Sequence, residues 1–179
     1  MEFTQLLENR RSIRAYKENT QISVETVKEL IAAAQQAPSW KNSQTGRYYA
    51  VSSKEMLARV KAECLPEFNQ RNSRNAPLLI VTAFVKGIAG FDNDASPVNE
   101  LGDEWGAYDL GLQNSLLILK ARELGLDTLI MGIRDEVKLR ELLGIPESEE
   151  VVSVIAVGYR DIEPKKPVRK EIEEILKLY

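Results

Sequence analysis

The amino-acid sequence predicts a single domain that combines α-helices with β-strands. Its 179 residues are enough for one sizeable hydrophobic core and normally form one domain, so we expect residues 1–179 to fold as one unit. Residues 23–36 repeat apolar side chains at helical spacing, whereas residues 78–84 form a nearly unbroken apolar run with β-branched residues in its middle. The first pattern is typical of a helix with one face in the core, and the second of a strand covered on both faces.

The same patterns, together with capping signals, predict the remaining elements in order along the chain. Ser23 is a suitable N-cap for the second helix, Pro38 stops it, and Gly125 and Gly144 follow the ends of two later helices. Residues 172–176 again show helical spacing. The main predicted helices are residues 3–9, 23–36, 54–62, 104–124 and 136–143, and the predicted strands are residues 47–52, 78–84, 128–131 and 151–159.

The helix predicted over residues 104–124 is apolar on nearly every side. Such a helix is normally buried, so we expect it to lie at the centre of the domain or to be shared between two subunits. The irregular connection before it, residues 87–100, has two interpretations: a loop that covers a substrate, or a mobile surface loop. Trp105 and Tyr108 likewise could line a pocket or pack in an interface.

The composition excludes several classes of function. The net charge of −3 does not favour non-specific nucleic-acid binding, which needs a basic surface. The chain has no histidine and one cysteine, Cys64, which excludes histidine-dependent triads, histidine-rich zinc sites and an intramolecular disulfide. The first residues lack the features of a secretory signal, and no stretch approaches the roughly 20 apolar residues of a membrane span. We therefore expect a cytoplasmic protein without a metal centre.

Two polar segments near the N-terminus could hold a phosphorylated aromatic cofactor. Residues 10–14, Arg-Arg-Ser-Ile-Arg, offer three guanidinium groups, which bind phosphate oxygens bidentately and stay charged. Residues 165–169, Lys-Lys-Pro-Val-Arg, could converge on the same dianion. Residues 37–44, Ala-Pro-Ser-Trp-Lys-Asn-Ser-Gln, offer hydroxyls and amides for the polar edge of a flat heterocycle. The alternatives remain open at this point: solvated basic surface for the first two segments, and an ordinary loop for the third.

The order of these segments resembles the nitroreductase family of FMN-dependent oxidoreductases. The similarity includes residues 10–14 and 37–44 and covers nearly the whole chain. It continues through Asn-Ala-Pro-Leu-Leu-Ile-Val at 75–81, Gln-Asn at 113–114, Gly-Leu at 125–126, Val-Gly-Tyr at 157–159 and Pro-Val-Arg-Lys at 167–170. Each motif alone is loose, but their order and spacing together are specific.

The resemblance implies an α+β, nitroreductase-like fold: a central mixed, mostly antiparallel sheet flanked by helices, in an intertwined homodimer. It also implies two FMN sites at the subunit interface, with one polar segment of each site supplied by the partner. The cofactor-binding residues that it implies here are Arg10, Arg11, Ser12, Arg14, Pro38, Ser39, Trp40, Asn42, Gln44, Asn69, Asn72, Ile130, Met131, Gly132 and Arg169. The roles of Lys165 and Lys166, beside the tail arginine, stay open.

The implied activity is that of an NAD(P)H oxidoreductase. Hydride from NADH or NADPH reaches FMN, the nicotinamide leaves, and a nitroaromatic, quinone or related acceptor takes its place in a ping-pong scheme. No protein side chain is expected to be catalytic, because the cofactor performs the difficult step. The alternatives are a non-catalytic FMN-binding protein, such as a flavin store, and a specialised member that acts as a dehalogenase or an enoate or azoline oxidoreductase.

Two positions depart from the family pattern. Asn72 stands where many relatives have lysine, which predicts a lower flavin potential. Thr45-Gly46 stands where relatives often have Pro-Trp after the glutamine. That difference is either drift at a packing position or the sign of a more open pocket.

Overall fold

A four-stranded antiparallel sheet forms the centre of the computed structural model, which describes residues 2–179. The strands are β1 (Gly46–Val51), β2 (Leu78–Val85), β3 (Asp127–Met131) and β4 (Glu149–Gly158), and their order across the sheet is β1-β2-β4-β3. All three strand ladders are antiparallel. A parallel pairing joins Ser12 to Thr128 as an isolated bridge at the outer edge of β3, so the sheet is mostly antiparallel, as expected.

The helices flank this sheet. They are α1 (Phe3–Asn9), α2 (Val24–Ala34), α3 (Lys54–Cys64), α4 (Glu67–Asn72), α5 (Glu104–Glu123), α6 (Glu136–Leu143) and α7 (Ile172–Ile175), with a 3₁₀ turn at Trp40–Asn42. The helices and strands predicted from the sequence are confirmed with boundaries that shift by one or two residues. Helix α4 and the 3₁₀ turn were not predicted, because α4 has six mostly polar residues without helical apolar spacing.

The two faces of the sheet carry separate cores. On one face, side chains such as Leu79, Val81 and Val154 pack against α3 and α6. On the other, Leu78, Ile80 and Ile155 pack against α2 and α5. Strand β2 is buried along almost its whole length, which explains its continuous apolar run.

The caps that the sequence predicts are present. The Ser23 hydroxyl accepts a hydrogen bond from the Thr26 amide at 3.1 Å. Gly144, at the end of α6, has φ of +67°, and Gly125, after α5, has φ of +78°. Both glycines therefore adopt the left-handed conformation that ends a helix at little steric cost.

Helix α5 buries one side against the sheet and leaves others partly open. Leu110, Gln113, Leu117 and Ala121 are buried, whereas Leu112, Leu116 and Leu119 are only half-buried. A single chain therefore buries only part of the apolar surface of α5. Within the described residues, no helix combines the length and apolarity that a membrane span requires.

Candidate functional site

A cavity of about 360 Å³ brings the N-terminal arginine segment together with the basic tail. Arg10, Arg14, Lys165 and Arg169 all line it. The other lining residues are Arg11, Ser12, Pro164 and Pro167. Two basic segments separated by about 150 residues in the sequence therefore converge on one small space.

The electrostatics of this cavity favour an anion. Burial, Arg169 and Arg11 together lower the pKa of Arg10, because each disfavours the charged guanidinium. No acidic side chain is among the described residues that line the cavity. A bound dianion would relieve the repulsion between the guanidinium groups, and arginine is well suited to hold phosphate oxygens.

Strand β3 fixes the arginine segment in place. The Ile13 amide donates to the Thr128 carbonyl at 3.0 Å, next to the bridge between Ser12 and Thr128. Ile13 is fully buried, so the side chains on either side of it, Ser12 and Arg14, face outward. The alternation of a β-bridge thereby directs Ser12 and Arg14 to the cavity.

An ion-paired cluster lies beneath the segment. The buried Asp127 carboxylate receives Arg160 Nε at 2.8 Å and Arg160 Nη2 at 2.6 Å, and it also binds Arg122 Nη1 at 3.1 Å. Arg160 additionally donates to the carbonyl of Asn9 at 3.4 Å. Asp127 raises the pKa of Arg160, so this guanidinium stays charged. Through its bond to Asn9, Arg160 connects the residues after β4 to the residue before Arg10.

The outer edge of β3 continues from the cavity towards α4. Ile130 is 49% exposed, Met131 is buried and Gly132 is exposed. The side chain of Met131 belongs to the core, so its backbone is the part available to a ligand. At the far end, Asn69 donates to the Ile133 carbonyl at 2.9 Å, which places α4 beside the residues that follow the strand.

Asn69 and Asn72 lie one turn apart on α4. Asn69 is buried and held by its bond to Ile133, whereas Asn72 is half-buried. Among residues 2–179 the Asn72 side chain has no recorded hydrogen bond, so its amide is free for a ligand. From Thr128 to Gly132 the chain spans about 13 Å, which leads from the residues beside the basic cavity towards Asn69.

The second predicted segment, residues 38–44, forms a tight turn. Lys41, Asn42 and Gln44 have φ of +46°, +55° and +50°, a conformation that non-glycine residues rarely adopt. The Ser39 hydroxyl accepts from the Gln44 amide at 3.1 Å and closes the turn. Asn42 and Gln44 are exposed and Ser39 is half-buried, so the amides remain accessible.

Helix α5 anchors this turn. The Trp40 amide donates to Asp109 Oδ2 at 2.8 Å, and the Trp40 ring lies 4.9 Å from that of Trp105. Tyr108 packs edge-on against Trp105 at 5.6 Å but is largely exposed. Burial raises the pKa of Asp109, and the bond from Trp40 opposes that shift. Asp109 was not predicted as a site residue, although a lone carboxylate within the apolar part of α5 was a visible signal.

The two predicted halves of the site are far apart within one chain. Gly46, which follows the turn, pairs with Phe84 of β2. Thr128, beside the cavity, pairs with Val157 of β4, and Val157 in turn pairs with Leu78 of β2. The positions of Gly46 and Thr128 therefore differ by six residues along β2 and by the full width of the sheet. That geometry separates them by about 25 Å, so a single chain does not bring residues 38–44 to the basic cavity.

Comparison with known proteins identifies the relatives of this fold. The profile of the nitroreductase family matches residues 7–159. A protein of Archaeoglobus fulgidus with the provisional name NADH dehydrogenase/NAD(P)H nitroreductase is 32% identical over 162 residues, which cover 88% of this chain and 85% of the relative. A protein of Bacillus subtilis, provisionally named NAD(P)H nitroreductase YdgI, is 26% identical over 185 residues, with 88% of each chain covered.

Solved structures show the same architecture. A provisionally assigned nitroreductase of Exiguobacterium sibiricum, solved in complex with FMN, superposes with a TM-score of 0.88 at 23% identity. The alignment covers 100% of this chain and 98% of that one. At this identity the match supports the fold.

Proposed function

The chain belongs to the nitroreductase family, and we propose that it is a cytoplasmic FMN-dependent oxidoreductase. It takes hydride from NADH or NADPH and reduces nitroaromatic, quinone or related acceptors. The observation that carries this proposal is the basic cavity, which lies at one end of an exposed strand edge that leads to the amides of α4. The name of the Archaeoglobus relative and the FMN complex of the Exiguobacterium protein support it.

The residues present fit a flavin phosphate. The cavity gathers five cations, and no carboxylate is among its described lining residues. Burial, together with repulsion from Arg169 and Arg11, lowers the pKa of Arg10, as expected for a site that an anion would neutralise. Arg10, Ser12, Arg14 and Arg169 would hold the phosphate, and Arg11 and Lys165 would add to the positive field.

The edge of β3 would hold the ring. Gly132 and the exposed edge beside Ile130 allow a flat heterocycle to approach the backbone, and Asn69 and Asn72 offer amides at its polar rim. When bound, FMN would supply the redox chemistry, accepting a hydride from the nicotinamide and passing it to the acceptor. The amide groups would stabilise the negative charge that reduction places on the polar rim of the ring.

A homodimer completes the site in this proposal. Residues 38–44 lie about 25 Å from the basic cavity of their own chain, so the copy that reaches the cofactor would come from the partner. Exposed apolar side chains agree with an unfilled interface. They include Phe3, Leu7, Val24, Tyr108, Val168, Ile172 and Ile175.

The decisive experiment is a spectrum of the purified protein reconstituted with FMN, followed by anaerobic addition of NADH or NADPH. We expect flavin bands to stay with the protein through gel filtration and to bleach on adding nucleotide. Arg10→Gln should weaken FMN binding by about ten- to a hundredfold, the loss of one charge-assisted contact. Arg59→Gln, which removes an exposed arginine paired with Glu63 on α3, is the matched control and should leave binding unchanged.

The outcomes separate the alternatives. Retained bands that neither nucleotide bleaches would contradict turnover and favour a flavin-binding protein without activity of its own. Failure to retain FMN would overturn the proposed function and leave the fold unaffected.

A further inference from the structure

A second cavity, of about 640 Å³, lies on the side of α3. It is lined by the loop at residues 19–22, by Ser52, by residues 54–61 on one side of α3 and by the connection at residues 74–77. It shares no lining residue with the basic cavity of the proposed flavin site. Its volume is within the range of sites for small ligands, about 300–1,000 Å³.

Three cations line this cavity: Lys54, Lys61 and Arg74. None of the described lining residues is acidic. The side-chain amide of Asn75, one of the lining residues, donates to the Glu18 carboxylate at 3.4 Å. Lys54 is also the first residue of α3, and the N-terminus of an 11-residue helix adds to the positive potential there.

Lys61 is held in an unusual way for a half-buried ammonium group. It donates to the backbone carbonyls of Arg74 at 2.9 Å and Ala76 at 3.2 Å. These carbonyl dipoles orient Nζ without neutralising it, and no ion pair to Lys61 is recorded among residues 2–179. Burial lowers the pKa of Lys61 to about 8, because nothing nearby compensates its charge.

The rest of the wall is of mixed character. Asn19, Thr20, Gln21 and Asn75 provide polar groups, and Asn19 has φ of +55°. The apolar lining residues are Ile22, Leu57, Ala58, Ala76 and Pro77. A ligand that fits this wall carries a compact negative charge on a small, partly apolar body.

We propose that this cavity binds the phosphate group of a small organic phosphate monoester, with Lys54, Lys61 and Arg74 as the phosphate ligands. Phosphate is preferred to a carboxylate because three separate cations surround the space, and a dianion with three acceptor oxygens can engage all three. The proposal does not depend on the flavin site, since neither its residues nor its charges are shared.

Covalent trapping with pyridoxal 5′-phosphate tests this site residue by residue. The free amine of a lysine attacks the probe's aldehyde, water leaves, and borohydride reduces the resulting imine to a stable secondary amine. Peptide mapping then reports the rate at each lysine. We expect Lys61 to be labelled fastest, and inorganic phosphate and phenyl phosphate to protect it, phenyl phosphate at the lower concentration.

Matched variants and a matched probe separate anion binding from simple amine reactivity. Lys54→Gln and Arg74→Gln, both at exposed positions, should each slow Lys61 labelling by about two- to fivefold, the effect of one partly exposed charge. Lys28→Gln on α2 should leave the rate unchanged. Pyridoxal, which lacks the phosphate, should label Lys61 at equal rates in the wild type and in all three variants.

Several results would overturn the proposal. They are labelling of Lys61 no faster than that of Lys28, equal rates with pyridoxal and its phosphate, and no effect of the two charge variants. Equal protection by inorganic phosphate and phenyl phosphate would overturn the role of the apolar wall. Arg10→Gln serves to keep the two sites apart, because it should weaken FMN binding without changing Lys61 labelling.

Discussion

At the scale of single residues, the two ends of the candidate site differ in charge. Burial and the like charges of Arg169 and Arg11 lower the pKa of Arg10, so the proposed phosphate end of the site is rich in cations. The end proposed for the ring is different, because Asn69 and Asn72 are neutral amides. An amide dipole stabilises a reduced, negatively charged ring less strongly than a full positive charge does.

Asn72→Lys should therefore raise the potential of bound FMN. One added charge beside the ring is expected to shift the two-electron potential upward on the order of 30 mV, equivalent to about 1.4 kcal/mol. The measurement is anaerobic titration against a reference dye. Glu141→Gln at an exposed position of α6 changes the net charge equally and serves as the control. An unchanged potential in Asn72→Lys would contradict the placement of Asn72 at the ring.

Lys61 predicts a specific dependence of stability on pH. Its pKa is about 8 in the folded chain against an ordinary value of 10.5. Between these values the unfolded chain binds more protons, so stability rises with pH in this window and the contribution is constant below it. We expect the free energy of unfolding of the wild type, measured against Lys61→Gln in urea without phosphate, to increase from about pH 8 to pH 10.5. A difference that stays flat across this window would show that the Lys61 pKa is not lowered.

At the scale of elements, β3 and α5 position the two halves of the site by different means. Strand β3 holds the arginine segment through a backbone bridge and through Asp127 at its first position. Helix α5 holds the turn at residues 38–44 through Asp109 and the Trp40–Trp105 contact. In each case, one buried carboxylate joins a regular element to an irregular segment.

Asp127→Asn should destabilise the fold and loosen the arginine segment together. The side chain is almost fully buried between Arg122 and Arg160, and removing its charge leaves two guanidinium groups uncompensated. We expect a loss of about 2–4 kcal/mol in the free energy of unfolding, allowing for the partial exposure of both arginines.

FMN affinity of Asp127→Asn, measured under conditions where the variant is folded, should fall as well. Asp161→Asn removes an exposed carboxylate close by in the chain and should change neither property. A folded Asp127→Asn protein with wild-type affinity would show that the cluster does not position Arg10.

The sequence predicted regular elements better than the contacts between irregular ones. The apolar run of β2 and the caps at Ser23 and Gly144 depend on local chemistry, and the structure agrees with them. Helix α4 and the anchoring role of Asp109 depend on tertiary contacts, to Ile133 and Trp40 respectively. The convergence of Arg10 with Arg169 was predicted from charge and from the family resemblance, and the roles of these residues remain predictions.

At the scale of the whole molecule, the sheet sets the geometry of the site. Its width and length keep residues 38–44 away from the arginine cavity of the same chain, by about 25 Å. The half-buried leucines of α5 and the exposed apolar tail provide surface on which a second copy could pack. The arrangement predicts that each cofactor contacts two chains.

Mixing two defective variants tests this sharing directly. Arg14→Gln damages the phosphate half of the site, and Asn42→Ala damages the half assigned to the partner. If the halves come from different subunits, random reassortment after unfolding and refolding gives half heterodimers. One site in each heterodimer is then intact, so tight FMN binding returns at about a quarter of all sites.

The controls for mixing are each variant refolded alone, which should recover no tight binding. Recovery in the mixture above the average of the two separate variants supports a shared site. No recovery, with dimers present by sedimentation, would mean that both halves of a site belong to one chain.

The free outer edge of β3 has a consequence for solubility. Beyond the bridge at Ser12, its backbone groups and the exposed Ile130 lie open in the isolated chain, and an unprotected strand edge is a template for aggregation. A flat ligand seated along that edge would shield it as well as use it. If FMN binds as proposed, we expect the flavin-free protein to aggregate more readily than the loaded protein, which light scattering of the two forms would show.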